Sequence, residues 1–450
     1  MCSDQCPLTM VNDTGDDKSA VTRLRTELLE STDETGLPHA GLLSRLPQWL
    51  SLMLCATQAD VESASPLWTG RSRRRFESLL KQVLGWRRDD GRIVWPVASD
   101  EPAERRLPKS SRLRKSVAAE QAMLAAAREF KLIPRDVAKP RRRRKPATNA
   151  TASPPNRPAV QSDAAEWAWL RSDRSRRADS IVVTHHEAWP HVEFSTCGQE
   201  LLRGAWPIDV RFDSQPVTVS GRWECVCWNS DSQADYLELQ LETDHITIER
   251  QVLLSRAEHF ALLADLVRFS EPGLIDFTSL LPLAETVRAT SDRFTREVRL
   301  QSSDHRVRVV PLALPQSRVH GTAGKLEVAP CARDDSEGTV RGPQASMSLR
   351  LHQVTHGRAI YAPLLLDWSP KRSRVAADWR SLTVSEELAI VRPDVAAGHR
   401  LRLGEKQWLV YRSLLPSHEA RAVLGHQTRS ETVIGWFTTS GDVRPIMQVE

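Results

Sequence analysis

One stretch constrains this chain more than any other: WECVCWNSDSQADYLELQLETDHITIERQVLLSRAEHFALLADLV, from Trp223 to Val267. In Tyr236–Glu242, Leu237, Leu239 and Leu241 alternate with Tyr236, Glu238, Gln240 and Glu242. A period of two is the mark of a strand, because successive side chains leave opposite faces of the pleat. Thr243-Asp244-His245 reads as a turn. The next run puts Ile246, Ile248, Val252 and Leu254 on one face, with Arg250 among them. Ser255–His259 reads as a second turn, and Phe260–Val267 is apolar almost throughout, as a central strand would be. A β-meander at the centre of a large sandwich is the expectation. Arg250 should then either pair with a carboxylate such as Asp265 or mark a cleft, because a lone cation on a buried face is costly.

From Ala165 onward, strand-length apolar runs recur between Gly, Asp, Ser and Pro: Ile181–Thr184, Val192–Ser195, Ile208–Phe212, Val217–Val219, then Phe294–Leu300, Val307–Val310, Ser346–Leu351, Ile360–Leu366, Leu388–Val391, Arg400–Leu403, Trp408–Arg412 and Thr432–Thr438. Leu274–Val287 leaves room for a helix or a long crossover. Short strands at this spacing predict a mainly β protein, with a large antiparallel, supersandwich-like β-sandwich over residues 165–450. Ahead of it, residues 19–139 read as helical. Ser19–Glu30, Gln48–Thr57 after Pro47, Ser72–Trp86 and Ser116–Lys131 all carry helical patterning, the clearest stripe being Phe76, Leu79, Leu80, Val83 and Leu84. Residues 1–18 are polar and acidic, and read as a disordered tail. Residues 140–164 contain PRRRRKPATNATASPPNRPAVQS and are too charged and proline-rich to build a core, so they read as a linker.

Charge is distributed unevenly. Residues 71–162 hold 24 Lys and Arg against 9 Asp and Glu, whereas residues 163–450 hold 34 against 38. The basic segment 71–145, with Arg141, Arg142, Arg143, Arg144 and Lys145 in one block, could bind nucleic acid or acidic partners by counterion release. No base-reading motif accompanies it, and a solvated linker and helix face is the simpler reading. No apolar run approaches the ~18–20 residues that cross a bilayer, and the N-terminus has no basic-then-apolar leader pattern. Seven scattered cysteines suit reduced thiols. A cytoplasmic protein without membrane partners is the expectation. P-loop, Rossmann and Gly-x-Ser-x-Gly signatures are absent from the sequence, and no cofactor is expected.

Several phrases resemble heparinase II/III-like proteins. Trp169-Leu170-Arg171-Ser172-Asp173 leads through the strand near Ile181 to His191-Val192-Glu193-Phe194, then to Gly198, Leu201-Leu202 and Gly204-Ala205-Trp206. Tyr236-Leu237-Glu238-Leu239, Glu249-Arg250-Gln251-Val252-Leu253 and Leu263-Ala264-Asp265 are similar to later strands of that family. The resemblance spans roughly residues 165–270. It implies a helical toroid before an antiparallel sandwich and, for active members, β-elimination on a uronate polysaccharide. That reaction needs a cation for the carboxylate, a base, and an acid for the leaving oxygen. His191 and Tyr236 are the catalytic candidates the resemblance suggests. The chain departs from the pattern in lacking a clear His-x-His-x-x-Asp and in having a helical part too short for a full toroid. It also has only three tyrosines: Tyr236, Tyr361 and Tyr411. The expectation is therefore a fold relative without lyase activity that binds an anionic polysaccharide. The other reading is a scaffold protein acting through its basic segment.

Local chemistry offers three further candidates. His191 and Glu193 share a strand face and are conceivable metal ligands, while the adjacent His185 and His186 point apart; ordinary strand histidines are the simpler reading. Cys225 and Cys227 would share a face on a regular strand, but no second pair completes a metal site, so small buried hydrophobes are the simpler reading. The β-region is rich in tryptophan (Trp189, Trp206, Trp223, Trp228, Trp368, Trp379, Trp408 and Trp436). Indoles stack on sugar faces, and Arg222, Trp223, Glu224, Trp228 and Arg250 are the ligand-binding candidates, although core packing accounts for most tryptophans.

Overall fold

The computed structural model describes residues 17–60, 67–90, 92–97, 158–318, 324–330, 347–417 and 419–450. It divides into two compact units. One comprises residues up to Pro158 together with Ser162–Trp167 and Arg174–Arg176, and the other holds the rest.

In the first unit, α1 (Asp17–Glu30), a 3-10 turn (Ala40–Arg45), α2 (Leu46–Asp60) and α3 (Gly70–Gly85) follow one another. The expected stripe on α3 is buried through Phe76, Leu79, Leu80 and Val83. The Arg75 guanidinium, also buried, donates to the Thr32 carbonyl. Trp68 stacks on Phe76 with centroids 4.7 Å apart and donates its indole N–H to Thr57 Oγ1 at 2.7 Å. The Ser116–Lys131 helix, the Arg141–Lys145 block and nearly all of the expected N-terminal tail lie outside the described residues.

The second unit is layered sheet upon sheet. The first sheet runs β1 (Val160–Ser162), β2 (Trp167–Arg171), β3 (Ser180–Thr184), β4 (His191–Thr196) and β5 (Gln199–Ala205) in order, so pairing begins within the last residues of the stretch read as linker. An eleven-stranded central sheet follows, formed by β6 (Ile208–Phe212), β7 (Gln215–Pro216), β8 (Glu224–Ser230), β9 (Ala234–Glu242), β10 (Ile246–Ser255), β11 (Phe260–Pro282), β12 (Arg288–Ser291), β13 (Val298–Ser302), β14 (His305–Pro311), β15 (Gly324–Pro330) and β16 (Met347–Asp367). Its main path is β12-β13-β14-β16-β11-β10-β9-β8. The last nine strands are β17 (Ala377–Leu382), β18 (Val384–Glu386), β19 (Ala389–Ile390), β20 (Ala396–Leu403), β21 (Lys406–Ser413), β22 (Arg421–Val423), β23 (His426–Thr428), β24 (Thr432–Phe437) and β25 (Val443–Val449). They divide into β17-β20-β21-β24-β25 and a small sheet β19-β18-β22-β23.

The predicted meander is β8 to β11, each strand antiparallel to the next. Of the region read as helix or crossover, Leu274–Pro282 is instead the second half of β11. Glu271-Pro272-Gly273 looks like a chain break but is a bulge, with the register to β16 shifting between Arg268 and Gly273. A proline is tolerated at such a bulge because no ladder N–H is needed there. Val217–Val219 forms no strand, and Met347–Leu351 of one expected run and the run at Ile360 belong to a single strand, β16. At the Cys225–Cys227 bulge the pleat alternation is broken, so Cys225 packs toward one core and Cys227 toward the other; the two thiols do not share a face.

Both faces of the central sheet are covered across β9, β10 and the adjoining parts of β11 and β16. Leu237, Leu239, Ile248, Val252, Leu263 and Val267 face the first sheet. Tyr236, Leu253, Leu262, Ala264, Leu266 and Tyr361 face the sheet that carries Trp379, Leu401, Trp408 and Ile434. Burial this complete forces charges to pair. Arg250, 0% exposed, lies directly across the ladder from Asp265, and its Nε donates to Asp265 Oδ1 at 2.8 Å. Its Nη1 donates to the Trp206 carbonyl at 2.7 Å, and the guanidinium carbon sits 3.8 Å from the Trp206 ring centroid and 5.2 Å from that of Trp223. Of the two sequence alternatives for Arg250, pairing rather than a cleft is realised. Arg250→Met should destabilise the fold by about 3–5 kcal/mol, because Asp265 is left as a buried unpaired carboxylate, whereas the double variant with Asp265→Leu should recover most of that loss. Denaturant unfolding of the single and double variants measures both.

Candidate functional site

The sequence candidates are distributed over several surfaces. His191 begins β4, half-exposed, with Nε2 3.0 Å from Glu187 Oε2; His186 lies 3.5 Å from the other Glu187 oxygen. Glu193, two residues along β4, instead faces Arg203 at 3.8 Å. His185 is buried, its Nδ1 3.3 Å from the Trp223 carbonyl. Among the described residues no group of three or more His, Cys, Asp or Glu side chains could hold a metal ion.

Tyr236 is 0% exposed and points into the opposite core, toward the β17-β20-β21-β24-β25 sheet. Its hydroxyl donates to Glu238 Oε2 at 2.6 Å and accepts from Gln251 Nε2 at 2.9 Å, while Tyr361 donates to Gln251 Oε1 at 2.8 Å. Arg412 on β21 closes this network by donating to Glu238 Oε1 at 2.5 Å, to Glu249 and to Thr432. Burial opposes the Arg412 charge, but the Glu238 and Glu249 carboxylates outweigh it and hold its pKa above the ordinary value. Burial, then the Glu238 charge, pushes the Tyr236 phenol well above its ordinary range. Tyr236 and His191 therefore belong to different sheets and different cores.

Arg222 and Glu224 do come together. With Val226, Gln240, Glu242, Thr243 and Asp244 they line an open depression of ≈ 570 Å³ at the β8–β9 edge. Trp223 is buried, its indole N–H donated to the Ala188 carbonyl at 3.0 Å; Trp228 packs partly buried against the first core; and Arg250 is enclosed. One arginine against Glu224, Glu242 and Asp244 makes the depression net acidic, which opposes an anionic ligand.

A different surface has the required sign. In the ladder β12-β13-β14, Arg288 pairs with Gln301 and Gln301 with Arg306; one step along, Thr290 pairs with Arg299 and Arg299 with Arg308. These residues share one face, because Leu300 and Val307 point into the first core. On this face Arg308 is buried and donates to the Val375 carbonyl, in the segment just before β17, at 2.7 Å. Arg288, Arg299, Gln301 and Arg306 are exposed. Directly opposed arginines repel, and Glu297 bridges the Arg299–Arg308 pair at 3.0 and 3.3 Å. Arg288 and Arg306 meet no carboxylate at ion-pair distance among the described residues. With strands ~4.8 Å apart they stand about 10 Å from each other across Gln301. The signal for this face is in the sequence, as Arg299, Gln301, Arg306 and Arg308 alternating with Val298, Leu300, Val307 and Val309.

No protein-family model and no curated protein matches the chain. Solved structures do. The heparan sulfate lyase HepC from Pedobacter heparinus is 12% identical, covering 89% of this chain and 62% of that one, with a TM-score of 0.55. The fold is heparinase-like. A heparinase III, the BT4657 gene product, is similar at 12% identity, with 88% and 62% covered and a TM-score of 0.59; another heparinase III is 11% identical, with 88% and 63% covered and a TM-score of 0.53. The chain spans about three fifths of the length of these proteins.

Beside the buried network, His399 stacks on Tyr361 with centroids 6.1 Å apart, 3.3 Å from Ser381 Oγ. Burial pushes its pKa down from 6.5 to about 4. The folded state thus binds this proton less readily than the unfolded chain, so its contribution is complete above the unfolded value and is lost as pH falls from 6.5 toward 4. His399→Gln should lose about 2 kcal/mol less stability than the parent between roughly pH 7 and 4.5. Comparing the two unfolding curves isolates this group from Glu238 and Asp367, whose raised pKa values act in the opposite direction.

Proposed function

We propose that this chain is a heparinase-like β-sandwich protein that binds an anionic polysaccharide without cleaving it, and that the exposed face of β12-β13-β14 is where it binds. The carrying observation is the arginine ladder: Arg288, Arg299 and Arg306 exposed on one sheet face, two of them without a carboxylate partner among the described residues. A row of exposed guanidiniums suits sulfate and carboxylate groups, which they engage bidentately. The ligand class follows from the neighbours, which are named as heparan sulfate lyase and heparinase.

The non-cleaving half of the reading rests on the tyrosines. Tyr236, Tyr361 and Tyr411 are all buried, so none reaches a bound sugar as an acid or base in this packing. His191 is half-exposed, but its carboxylate neighbour is Glu187 in the loop between β3 and β4, away from the central-sheet core that holds Tyr236.

The test uses the full chain with heparin-like glycan, neutral dextran and an oligonucleotide over a salt series. Replacing Arg288, Arg299 and Arg306 together by Gln should weaken glycan binding by about 10- to 100-fold and lower the salt slope by roughly two to three. Unfolding should change little, since these side chains are exposed. Unchanged binding by the triple variant would remove the proposed site and favour the basic segment 71–145. Appearance of unsaturated uronate, read by ultraviolet absorbance, would overturn the non-cleaving assignment.

A further inference from the structure

The loop joining β12 to β13 holds an aromatic ring where water should disfavour it. Phe294 is 80% exposed, the one exposed aromatic side chain among the described residues. The sequence pattern puts it at the head of a strand, yet the strand begins at Val298. Asp292 accounts for the difference, its carboxylate accepting the backbone N–H groups of Phe294 at 2.8 Å and Thr295 at 2.9 Å to form a tight turn. The 316–318 segment fixes the other side: Thr295 bridges Ser317, the Arg318 N–H donates to the Phe294 carbonyl at 3.1 Å, and Arg318 Nε donates to the Thr295 carbonyl. The backbone beneath the ring is thus held before any ligand arrives.

Its surroundings are cationic. Arg293 and Arg318 are exposed in the same loop pair, and Arg299 and Arg288 follow on the two strands of the hairpin. Arg296, tied to the Gly324 carbonyl at 3.0 Å, has its pKa lowered by burial and then by the Arg318 charge, while Asp292 and Glu297, the latter 3.0 Å from Arg299, offset part of the positive charge.

We propose that Phe294 is a stacking platform for one pyranose ring of the anionic polysaccharide, with Arg293 and Arg299 engaging sulfate or carboxylate groups flanking that ring. This rests on the arginine face being the polysaccharide surface and adds the element that distinguishes a sugar chain from other polyanions. A sugar chain alternates apolar ring faces with anionic substituents, so it matches an aromatic next to guanidiniums. Nucleic-acid grooves stack successive bases on successive aromatics, and among the described residues this surface offers a single exposed ring.

The experiment compares full-length parent, Phe294→Ala, Phe294→Trp and the triple arginine variant for binding to a heparin-derived oligosaccharide, inorganic polyphosphate and oligo-dT across salt. Phe294→Ala should weaken oligosaccharide binding about five- to tenfold with the salt slope unchanged, Phe294→Trp should retain it, and polyphosphate, which has no ring, should bind both variants like the parent. Equal oligosaccharide binding by Phe294→Ala overturns the platform while leaving the arginine surface standing. An equal loss toward polyphosphate overturns it too, since the effect is then not stacking. A larger loss toward oligo-dT than toward the oligosaccharide overturns the sugar assignment. A parent that binds no oligosaccharide overturns this inference and the proposed function together.

Discussion

A sheet covered on both faces has no solvent side on which to leave a charge, and much of this structure follows from that constraint. On the face toward the first sheet, Arg250 is matched in register to Asp265, Ser279 donates to the second Asp265 oxygen at 2.6 Å, and Trp206 donates to Ser279. On the other face, Arg412 reaches across from β21 to Glu238 and Glu249. The two arrangements differ in what they hold together. Arg250 ties neighbouring strands of one sheet, whereas Arg412 ties two sheets, so it helps fix how the third layer is seated on the second. Buried ion pairs of this kind contribute little net stability, but removing one partner is costly.

The same constraint marks where the surface begins. Along β14, Arg308 lies buried beneath the segment that leads into β17 and is paired with Glu297 and the Val375 carbonyl. Arg306, two residues earlier on the same face, is beyond the cover and needs no partner. Chemically equivalent arginines thus become structural or available for a ligand according to how far the covering sheet extends. The β8–β9 edge shows the same transition with the opposite charge, from buried Glu238 to exposed Glu242.

The meander was legible in the sequence because each of its strands buries alternate residues against a continuous core, and Leu237, Leu239, Leu241, Ile248 and Val252 record that directly. The α3 stripe was legible for the equivalent helical reason. β11 was not, because Glu271-Pro272-Gly273 carries the chemistry of a turn and only pairing with β16 on both sides of it shows one strand. The shared face expected for Cys225 and Cys227 failed similarly, since a bulge adds a residue and resets the alternation. Among the site candidates, Arg222 and Glu224 meet in one depression, while Trp223, Tyr236 and Arg250 are core residues. The arginine face was spelled out by alternation at residues 298–309, but alternation alone does not say which face is covered.

By itself the sequence determined the fold class, the strand pairing of the meander and the presence of a buried cation at Arg250, because periodicity and the cost of an unpaired charge are local or near-local properties. Only the tertiary structure decided that the central sheet is covered on both faces at β9 and β10, that Tyr236 is enclosed with Glu238 and Arg412, and that Arg288, Arg299 and Arg306 on β12–β14 are exposed. The physical reason is that exposure depends on the reach of a neighbouring layer. That layer is built from residues more than a hundred positions away in the chain for Tyr236 and Arg412, whose carboxylate partner Glu238 is separated from it by 174 residues.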